Sequence, residues 1–393
     1  MKKKHKVLKA VFITAFLLLL GVGIYVGIRI ATMDDEITTE FTYKTPEIPE
    51  IELTTKPDYG QWAVAVNGSV ILKSDENLPQ QPTASTAKMI LALAVMEKKP
   101  FDVDDPGEGI TITQEMYDKY TWYVAHNGST TAVTVGERIS EYDALASALL
   151  ASSNNMADAL AVWAFGNMES YKLYATEMLE KLGVTNTKIG IDASGYDSST
   201  VSTAEDLAKI GAALLNQPVL AGIVKRAEAV VPVVGNIKNT NHLIGVDGII
   251  GVKTGYIGDA SGYCLVSGYK EGNDNITVAL LGAPTREASF DDTQKIVEEL
   301  QNFIKTKKLV EKDEEVGHYA TWWAGNVPIK ATEELDGILI SQVEPELVMA
   351  KLNGKLDFKN AEIEYSVPVE VEEFPREPTF WQKFLHAFGW QAN

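Results

Sequence analysis

The distribution of apolar residues predicts a membrane-spanning helix near the start of the chain. Residues 11–28 carry no charge and are just long enough to cross a bilayer as a helix. Lysines precede this stretch and residues 34–36 are acidic, which places the basic side in the cytoplasm. A cleaved signal peptide has a similar pattern, but no clean Ala-x-Ala site follows the apolar stretch. We therefore favour a retained signal anchor, with the bulk of the protein outside the cytoplasm.

Beyond the anchor, the polarity pattern changes twice before the first compact region. Residues 32–57 are rich in Thr, Glu and Pro with little periodicity, which is typical of an extended linker. Two apolar runs at 62–66 and 70–72 flank Asn67-Gly68, a dipeptide that favours a type I′ turn, and so predict a β-hairpin. Good helix formers without Gly or Pro follow at 89–97 and predict a largely buried helix.

The middle of the chain alternates helical and strand patterns, which is typical of a mixed α/β unit. Helical patterns cover residues 137–165 (with a break at 152–155), 170–183, 203–216 and 290–306. Short β-branched runs at 262–267 and 276–281 predict two strands of a sheet. The last of the helices is expected to return and cover that sheet.

The last part of the chain has a different pattern. Residues 308–376 consist of short alternating runs, which predict a small β-rich second domain. Apolar residues then recur at helical spacing with Lys383 on the opposite face: Phe380, Trp381, Phe384, Leu385, Phe388 and Trp390. Such a helix either lies in a membrane interface or packs on its own domain.

Composition narrows the classes of function. Of the 393 residues, 45% are hydrophobic, which is enough for large cores in about two domains. The net charge of −19 argues against a nucleic-acid partner, because phosphate binding needs basic patches. The single cysteine, Cys264, leaves no internal disulfide, and five histidines without ligand spacing predict no metal site.

Ser85 and Lys88 form the first candidate catalytic motif. Ser85 is predicted in the first turn of the buried helix, after Pro82 and Thr83, which favour a turn and an N-cap. Lys88 is three residues further on and lies on the same helix face. The helix N-terminus stabilises negative charge on the hydroxyl, and a partly desolvated lysine can act as a base. Because Ser-x-x-Lys occurs by chance about once in a chain this long, other motifs must support it.

Two further motifs follow in a fixed order. Ser152-Ser153-Asn154 interrupts two apolar helices, where a polar segment forms either a solvated turn or one wall of a cleft, and the local pattern by itself favours the turn. Lys253-Thr254-Gly255 begins a strand among glycines and is much rarer by chance than Ser-x-x-Lys. The three motifs in this order are those of penicillin-recognising serine enzymes.

The chain resembles the low-molecular-mass penicillin-binding proteins, specifically the D-alanyl-D-alanine carboxypeptidases of the serine-peptidase type. The resemblance covers about residues 58 to 305 and rests on residues 82–88, 149–155, 239–243, 248–255 and 284–287. It implies an α/β (α+β) penicillin-binding, β-lactamase-like transpeptidase domain. In that fold helices flank an antiparallel sheet, and here a small C-terminal β-rich domain would follow.

The resemblance also implies a reaction, the removal of the terminal D-alanine from peptidoglycan stem peptides that end in D-Ala-D-Ala. Ser85 is expected to attack the penultimate D-Ala carbonyl and form an acyl-enzyme. Lys88, kept partly unprotonated by burial and by nearby Lys253, is expected to take the serine proton as general base. Ser152 is expected to relay a proton to the leaving D-alanine.

Substrate-binding roles are implied in the same way. Asn154 is expected to bond the substrate backbone and Lys88, while Lys253 and Thr254 of the Lys-Thr-Gly motif attract the terminal carboxylate. The backbone N–H groups of Ser85 and Tyr256, which follows Gly255, are expected to form the oxyanion hole. β-Lactams are expected to acylate the same serine, and neither a metal nor an organic cofactor is implied.

Other interpretations of the motif set remain open. A DD-endopeptidase or transpeptidase would use the same residues on cross-linked peptides. A class A β-lactamase would also need a loop that carries a glutamate, but residues 183–202 contain no Glu. A non-catalytic β-lactam sensor would have no need for all the polar residues of the three motifs, and all are present.

These patterns predict one order of segments along the chain. They are a cytoplasmic basic segment at 1–9, a transmembrane signal anchor at 10–31, a linker at 32–57, a penicillin-binding DD-peptidase domain at 58–306, a β-rich domain at 307–376 and an amphipathic, interfacial helix at 377–393. This order predicts a single-pass protein of the cell membrane whose catalytic domain faces the cell wall.

Overall fold

The computed structural model describes residues 2–43, 53–75, 78–232, 234–339, 346–350, 354–360, 363–371 and 374–390. The helices described are α1 (Lys2–Ala31), α2 (Ala87–Lys98), α3 (Gln114–Ala125), α4 (Glu141–Leu149), α5 (Asn154–Phe165), α6 (Met168–Lys181), α7 (Ala204–Asn216), α8 (Pro218–Val224), α9 (Arg286–Phe303) and α10 (Phe380–Ala387). Short 3-10 turns lie at Ala84–Thr86 and Val246–Gly248.

The strands described are β1 (Thr38–Phe41), β2 (Gln61–Val66), β3 (Ser69–Lys73), β4 (Gln81–Pro82), β5 (Gly109–Thr111), β6 (Arg138–Ser140), β7 (Val201–Ser202), β8 (Glu228–Val231), β9 (Gly235–Lys238), β10 (Gly251–Tyr256), β11 (Tyr263–Glu271), β12 (Asp274–Ala283), β13 (Lys307–Val310), β14 (Glu315–Thr321), β15 (Gly325–Ala331), β16 (Leu335–Gly337), β17 (Glu346–Ala350), β18 (Lys355–Asn360) and β19 (Ile363–Val371).

A five-stranded antiparallel sheet, in the order β10-β11-β12-β2-β3, forms the centre of the first domain. The predicted hairpin is confirmed, because β2 pairs with β3 across a turn in which Asn67 and Gly68 have φ angles of 50° and 94°. Positive φ at both central residues is what a type I′ turn requires. The sheet therefore joins strands from both ends of the domain.

Both faces of the sheet are covered by helices. Ala63 and Ala65 of β2 lie in one core with α2, α4, α5, α6, α7 and α8, where small side chains let the helices approach the sheet. Val64 and Val66 point to the opposite face and pack in a second core with Val297 of α9. The expectation that the helix predicted at 290–306 covers the sheet is thus confirmed, with the helix beginning earlier, at Arg286.

A six-stranded antiparallel sheet forms most of the C-terminal part, in the order β1-β14-β15-β19-β18-β17. Its first strand, Thr38–Phe41, comes from the segment predicted as a linker and pairs with β14. Its partner is remote in sequence, so local composition gave no sign of this strand. The two domains touch where the Tyr365 hydroxyl donates to Asp274 Oδ2 at 3.0 Å.

Helix α1 is by itself long and apolar enough to cross a membrane, with a mean hydropathy of 2.5. Helix α10 starts with a capping box in which Thr379 and Gln382 bond each other's backbone, and it contacts α1. Lys383 pairs with Asp35 just beyond α1, and His386 stacks on Trp322 at 4.3 Å. Helix α10 therefore packs on its own chain through one face, and Phe380, Trp381, Phe388 and Trp390 at or beside it stay exposed.

Candidate active site

Ser85 lies in the 3-10 turn that leads directly into the buried helix α2. Ala84 before it has a φ of +48°, a strained value for a residue with a side chain. Thr83 is the N-cap residue of this turn, as predicted, but its side chain makes no capping bond. Instead the Thr86 hydroxyl donates to the Thr83 carbonyl at 2.8 Å. This hydrogen-bonded turn thus holds Ser85 at the N-terminal end of α2.

Lys88 is completely buried and lies beside the Ser85 hydroxyl. Its Nζ is 2.8 Å from Ser85 Oγ and donates to Asn154 Oδ1 and to the Ser194 carbonyl, each at 2.8 Å. Burial lowers the pKa of Lys88 to about 7, although the carboxylates of Asp192 and Asp158 act to raise it. A large fraction of the amine is therefore neutral near pH 7 and able to accept a proton.

Lys253 is a second buried lysine, 1% exposed, on strand β10. Its Nζ donates to Ser152 Oγ at 3.0 Å and to the Thr254 carbonyl at 3.1 Å. Burial first, and then the positive charge of Lys88, hold the pKa of Lys253 well below its usual value. The sequence-based expectation was that this repulsion between the two amines lowers the pKa of Lys88, and burial is the largest cause of that shift.

Ser152 lies between α4 and α5 with a φ of +59°, so the serine, like Ala84, has a strained backbone at the site. Ser153 N-caps α5, and its hydroxyl accepts from Met156 N at 3.4 Å. Asn154 begins the helix and is buried against Lys88. The polar segment is therefore a wall of the site and not a solvated turn.

Gly255 brings strand β10 against the turn that carries Ser85. A Cβ at this position would lie 2.9 Å from the Thr83 carbonyl oxygen and 3.1 Å from Ser85 N, which leaves room only for glycine. Tyr256 follows, half exposed, with its ring stacked on Tyr263 at 4.1 Å. The backbones that carry the two expected oxyanion N–H groups are thus in close contact.

All eight predicted site residues gather in one region. Lys88 contacts both Ser85 and Asn154. Lys253 contacts both Ser152 and Thr254. Gly255 and Tyr256 pass beside the turn that carries the serine. In the described part of the chain, no group of three or more His, Cys, Asp or Glu side chains could hold a metal.

Sequence reasoning missed several groups that contact the site. Ser194 contributes only its carbonyl to Lys88, so no side-chain pattern could have marked it. Thr240 meets Thr254 through their hydroxyl oxygens at 2.6 Å. Asp158 is an acidic residue within the apolar helix α5, four residues after Asn154. Because this spacing puts the two residues on one helix face, it could have indicated that Asp158 lies near the site.

Comparison with known proteins identifies the family. A family model described as D-alanyl-D-alanine carboxypeptidase matches residues 62–285, which is more than half of the chain. The chain belongs to this family. It is accordingly a serine-type D-alanyl-D-alanine carboxypeptidase, a peptide hydrolase of the low-molecular-mass penicillin-binding class.

Individual relatives are more distant. The chain is 29% identical over 223 residues to a D-alanyl-D-alanine endopeptidase of Pseudomonas aeruginosa, a match that covers 55% of this chain and 68% of the relative. It is 27% identical over 280 residues to the D-alanyl-D-alanine carboxypeptidase DacC of Escherichia coli, covering 69% of this chain and 66% of that relative.

Solved structures confirm the fold class predicted from the sequence. A mutant of the Streptomyces K15 DD-transpeptidase has a TM-score of 0.55 and 25% identity, covering 62% of this chain and 98% of that one. A peptidoglycan synthesis regulatory factor (PBP3) of Streptococcus pneumoniae has a TM-score of 0.64 and 16% identity, covering 80% of this chain and 98% of that one. The second match covers a larger share of this chain than the first.

Proposed function

We propose that the enzyme removes the terminal D-alanine from peptidoglycan stem peptides through an acyl-enzyme on Ser85. The observation that carries this proposal is the 2.8 Å contact between Ser85 Oγ and the Nζ of a completely buried lysine. Burial favours the neutral amine of Lys88, and a neutral amine at this distance can take the serine proton. No histidine is needed for that step.

In acylation, Ser85 Oγ bonds to the carbonyl carbon of the penultimate D-Ala as its proton passes to Lys88 Nζ. The N–H groups of Ser85 and Tyr256 receive the oxyanion, and one such donor is typically worth about 3 kcal/mol. When the C–N bond breaks, Ser152 passes its hydroxyl proton to the departing amine, and the proton that Lys88 took from Ser85 replaces it, so Lys88 is neutral again for the next step. Lys253, which bonds Ser152, holds that hydroxyl in place.

Hydrolysis of the acyl-enzyme uses the same groups in reverse order. Lys88 takes a proton from water as the water oxygen bonds to the acyl carbon, and Ser85 leaves with that proton. Asn154 bonds the substrate backbone, while Lys253 and the Thr254 hydroxyl attract the terminal carboxylate. The cyclic amide of a β-lactam would acylate Ser85 similarly, but its amine stays tethered to the acyl group and hinders deacylation.

The test is D-alanine release from a peptide that ends in D-Ala-D-Ala, with intact mass measured after penicillin is added. We expect the chain from residue 34 onward to release D-alanine and to gain the mass of penicillin. The Ser85→Ala variant should do neither. A parent chain that neither releases D-alanine nor forms an adduct would contradict the proposal.

A second candidate substrate is the cross-link between two stem peptides, since one relative is an endopeptidase and a structural neighbour is a transpeptidase. The same catalytic residues serve both reactions, and only the leaving group or the acceptor differs. The assay therefore includes a purified cross-linked dimer. Cleavage of the dimer at a higher kcat/KM than the linear peptide would make endopeptidase the main activity.

We also infer that α1 spans the cell membrane with its lysines in the cytoplasm and the catalytic domain on the cell-wall side. The basic flank, the exposed apolar surface of α1 and its mean hydropathy support this orientation. Helix α10 contacts α1 and exposes Trp381 and Phe388 beside Lys383, the residue that pairs with Asp35. We propose that this aromatic face lies in the interface of the cell membrane on its cell-wall side.

Vesicle binding by the chain from residue 34 onward, which lacks α1, tests the second contact. We expect sedimentation with lipid vesicles, and its loss when Phe380 and Trp381 are both replaced by Ser. Exchange of Leu173, an exposed apolar residue of α6, for Ser is the control and should leave binding unchanged. Equal sedimentation of all three chains would refute a role for α10.

A further inference from the structure

Asp158 is a buried carboxylate on α5, one helical turn after Asn154 and on the same face. Its Oδ2 accepts from the Tyr123 hydroxyl at 2.7 Å, and its Oδ1 accepts from the backbone N–H of Ala193 at 3.1 Å. The ammonium of Lys119, partly exposed on α3, approaches Oδ2 at 3.9 Å. Asp158 therefore links α5 to α3 and to the loop between α6 and β7, which contains Ala193.

The loop that Asp158 holds also touches the catalytic lysine. Residue 194, next to Ala193, accepts from Lys88 Nζ through its carbonyl at 2.8 Å. The Ser194 hydroxyl donates to Asp192 Oδ1 at 2.8 Å and lies 3.3 Å from the Tyr123 hydroxyl. Hydrogen bonds, joined through the short backbone segment 193–194, thus connect Asp158 to the amine that faces Ser85.

We propose that Asp158, together with Tyr123, is a positioning residue for Lys88. Asp158 fixes residues 193–194 so that the Ser194 carbonyl and the Asn154 side chain accept hydrogen bonds from two of the N–H groups of Lys88 Nζ. The remaining direction on Nζ then points toward Ser85 Oγ, which is the direction needed for proton transfer. This inference rests on the role of Lys88 as general base proposed above.

Packing alone does not account for an acid at this position. Ala157, Ala159 and Ala161 beside Asp158 on α5 are buried and apolar, and an uncharged side chain at position 158 would avoid the cost of desolvating a carboxylate. The carboxylate instead has a donor on each oxygen. One of these hydrogen bonds comes from the loop whose Ser194 carbonyl accepts from Lys88, and the other comes from Tyr123 of helix α3.

The charge of Asp158 gives the proposal a second consequence. The ionisable groups around it are Lys119 and Tyr123 of α3, Asp192 of the loop, Lys88 of α2 and Tyr171 of α6. Burial raises the pKa of Asp158 to about 6, so the group is mostly ionised at pH 7 and above. There its negative charge opposes the effect of burial on Lys88 and raises the pKa of that amine.

The test is the Asp158→Asn variant of the full chain in detergent, assayed for penicillin acylation across pH. We expect the acylation rate constant to fall by about 10- to 100-fold, because the base is misaligned. We also expect the acidic limb of the pH profile to move to lower pH, because loss of the carboxylate lowers the pKa of Lys88. Tyr123→Phe removes a single hydroxyl and should lower acylation in the same direction by a smaller factor.

Asp274→Asn is the matched control, because Asp274 is also a buried carboxylate that accepts from a tyrosine hydroxyl, but at the contact between the domains. It should leave both the rate and the acidic limb unchanged. A folded Asp158→Asn chain with a parental rate, or with a lower melting temperature but an unmoved acidic limb, would overturn the proposal. If the Asp158→Asn chain fails to fold, parental acylation by Tyr123→Phe would overturn it. Neither result touches the proposed function, which depends on D-alanine release by the parent chain.

Discussion

At the scale of single residues, the site depends on two lysines that the fold removes from water. Lys88 and Lys253 are 0% and 1% exposed, yet each amine bonds oxygens that suit a partly protonated group. A buried cation is costly unless it is paired or loses its proton, and here burial lowers both pKa values. The same burial that opposes charge therefore favours the neutral amine, which is the form that the proposed general base requires.

The pKa of Lys88 predicts the pH dependence of acylation. Because the neutral amine is the active form and its pKa is about 7, the rate constant should rise with pH through about 7 and then level off. Below that pH it should fall about tenfold for each pH unit. Stopped-flow or mass-spectrometric acylation by penicillin between pH 5 and pH 9 (a range of roughly two units either side of that pKa) measures this.

The Lys88→Arg variant keeps a positive charge at this position but removes the base. A guanidinium stays protonated, so we expect acylation to fall by at least about 10³-fold over the whole pH range. Lys181→Arg is the control, since Lys181 is an exposed lysine paired with Glu97 on another surface. An arginine variant that still acylates at high pH would show that Lys88 is not the base.

At the scale of elements, the site forms where strand β10 crosses the turn before α2. The 3-10 turn and β10 come from segments far apart in sequence, and Gly255 is the point of closest backbone approach. In the proposed mechanism the strand supplies Lys253, Thr254 and one oxyanion N–H, while the turn supplies the nucleophile Ser85. Because the sheet sets their spacing, we expect a small displacement of β10 to separate the nucleophile from the oxyanion hole.

Gly255→Ala is expected to cause that displacement. The added methyl group would lie 2.9 Å from the Thr83 carbonyl oxygen, so the strand must move away from Ser85. Acylation by penicillin should fall by about 10²-fold, with a lower melting temperature. The control is Gly222→Ala in α8, where a Cβ meets nothing within 4 Å and should add up to about 1 kcal/mol of stability. Full activity of Gly255→Ala would contradict the close approach.

At the scale of the whole molecule, strand β1 links helix α1 to the C-terminal sheet. It follows α1 closely and covers the edge of β14, with Glu40 opposite His318. The sheet in turn contacts the catalytic domain through Tyr365 and Asp274. Helix α1 is therefore connected to the catalytic domain through the β-rich domain as well as along the chain.

Glu40→Pro tests this link. Thr42 N donates to the Val316 carbonyl at 3.1 Å, so by strand alternation Glu40 also bonds across to β14, and proline cannot donate there. We expect faster amide hydrogen exchange in β14 and β15 but parental penicillin acylation. Glu40→Gln, which keeps the backbone donor, should keep the parental exchange rate. Unchanged exchange in the proline variant would show that β1 does not stabilise the sheet.

The sequence by itself determined several of the elements and the residue types of the site. Runs of good helix formers and β-branched strands respond to neighbours within a few residues, so helix α2, the Asn67-Gly68 hairpin and strands β11 and β12 were predictable from local pattern. Spacing along α2 placed Ser85 and Lys88 on one face. The order of the three motifs indicated the reaction class before any contact was known.

Only the tertiary structure decided which distant groups complete the site. The Lys253 amine meets Ser152 across 101 residues, and the Ser194 carbonyl meets Lys88 across 106. The turn at Ser85 relies on a hydroxyl from Thr86 and not on the expected cap, and the segment predicted as a linker adds strand β1 to a remote sheet. Backbone carbonyls and strand edges carry no side-chain signature, because any residue supplies them. Their positions follow from packing of the whole chain, and so does the burial that lowers the pKa of both lysines.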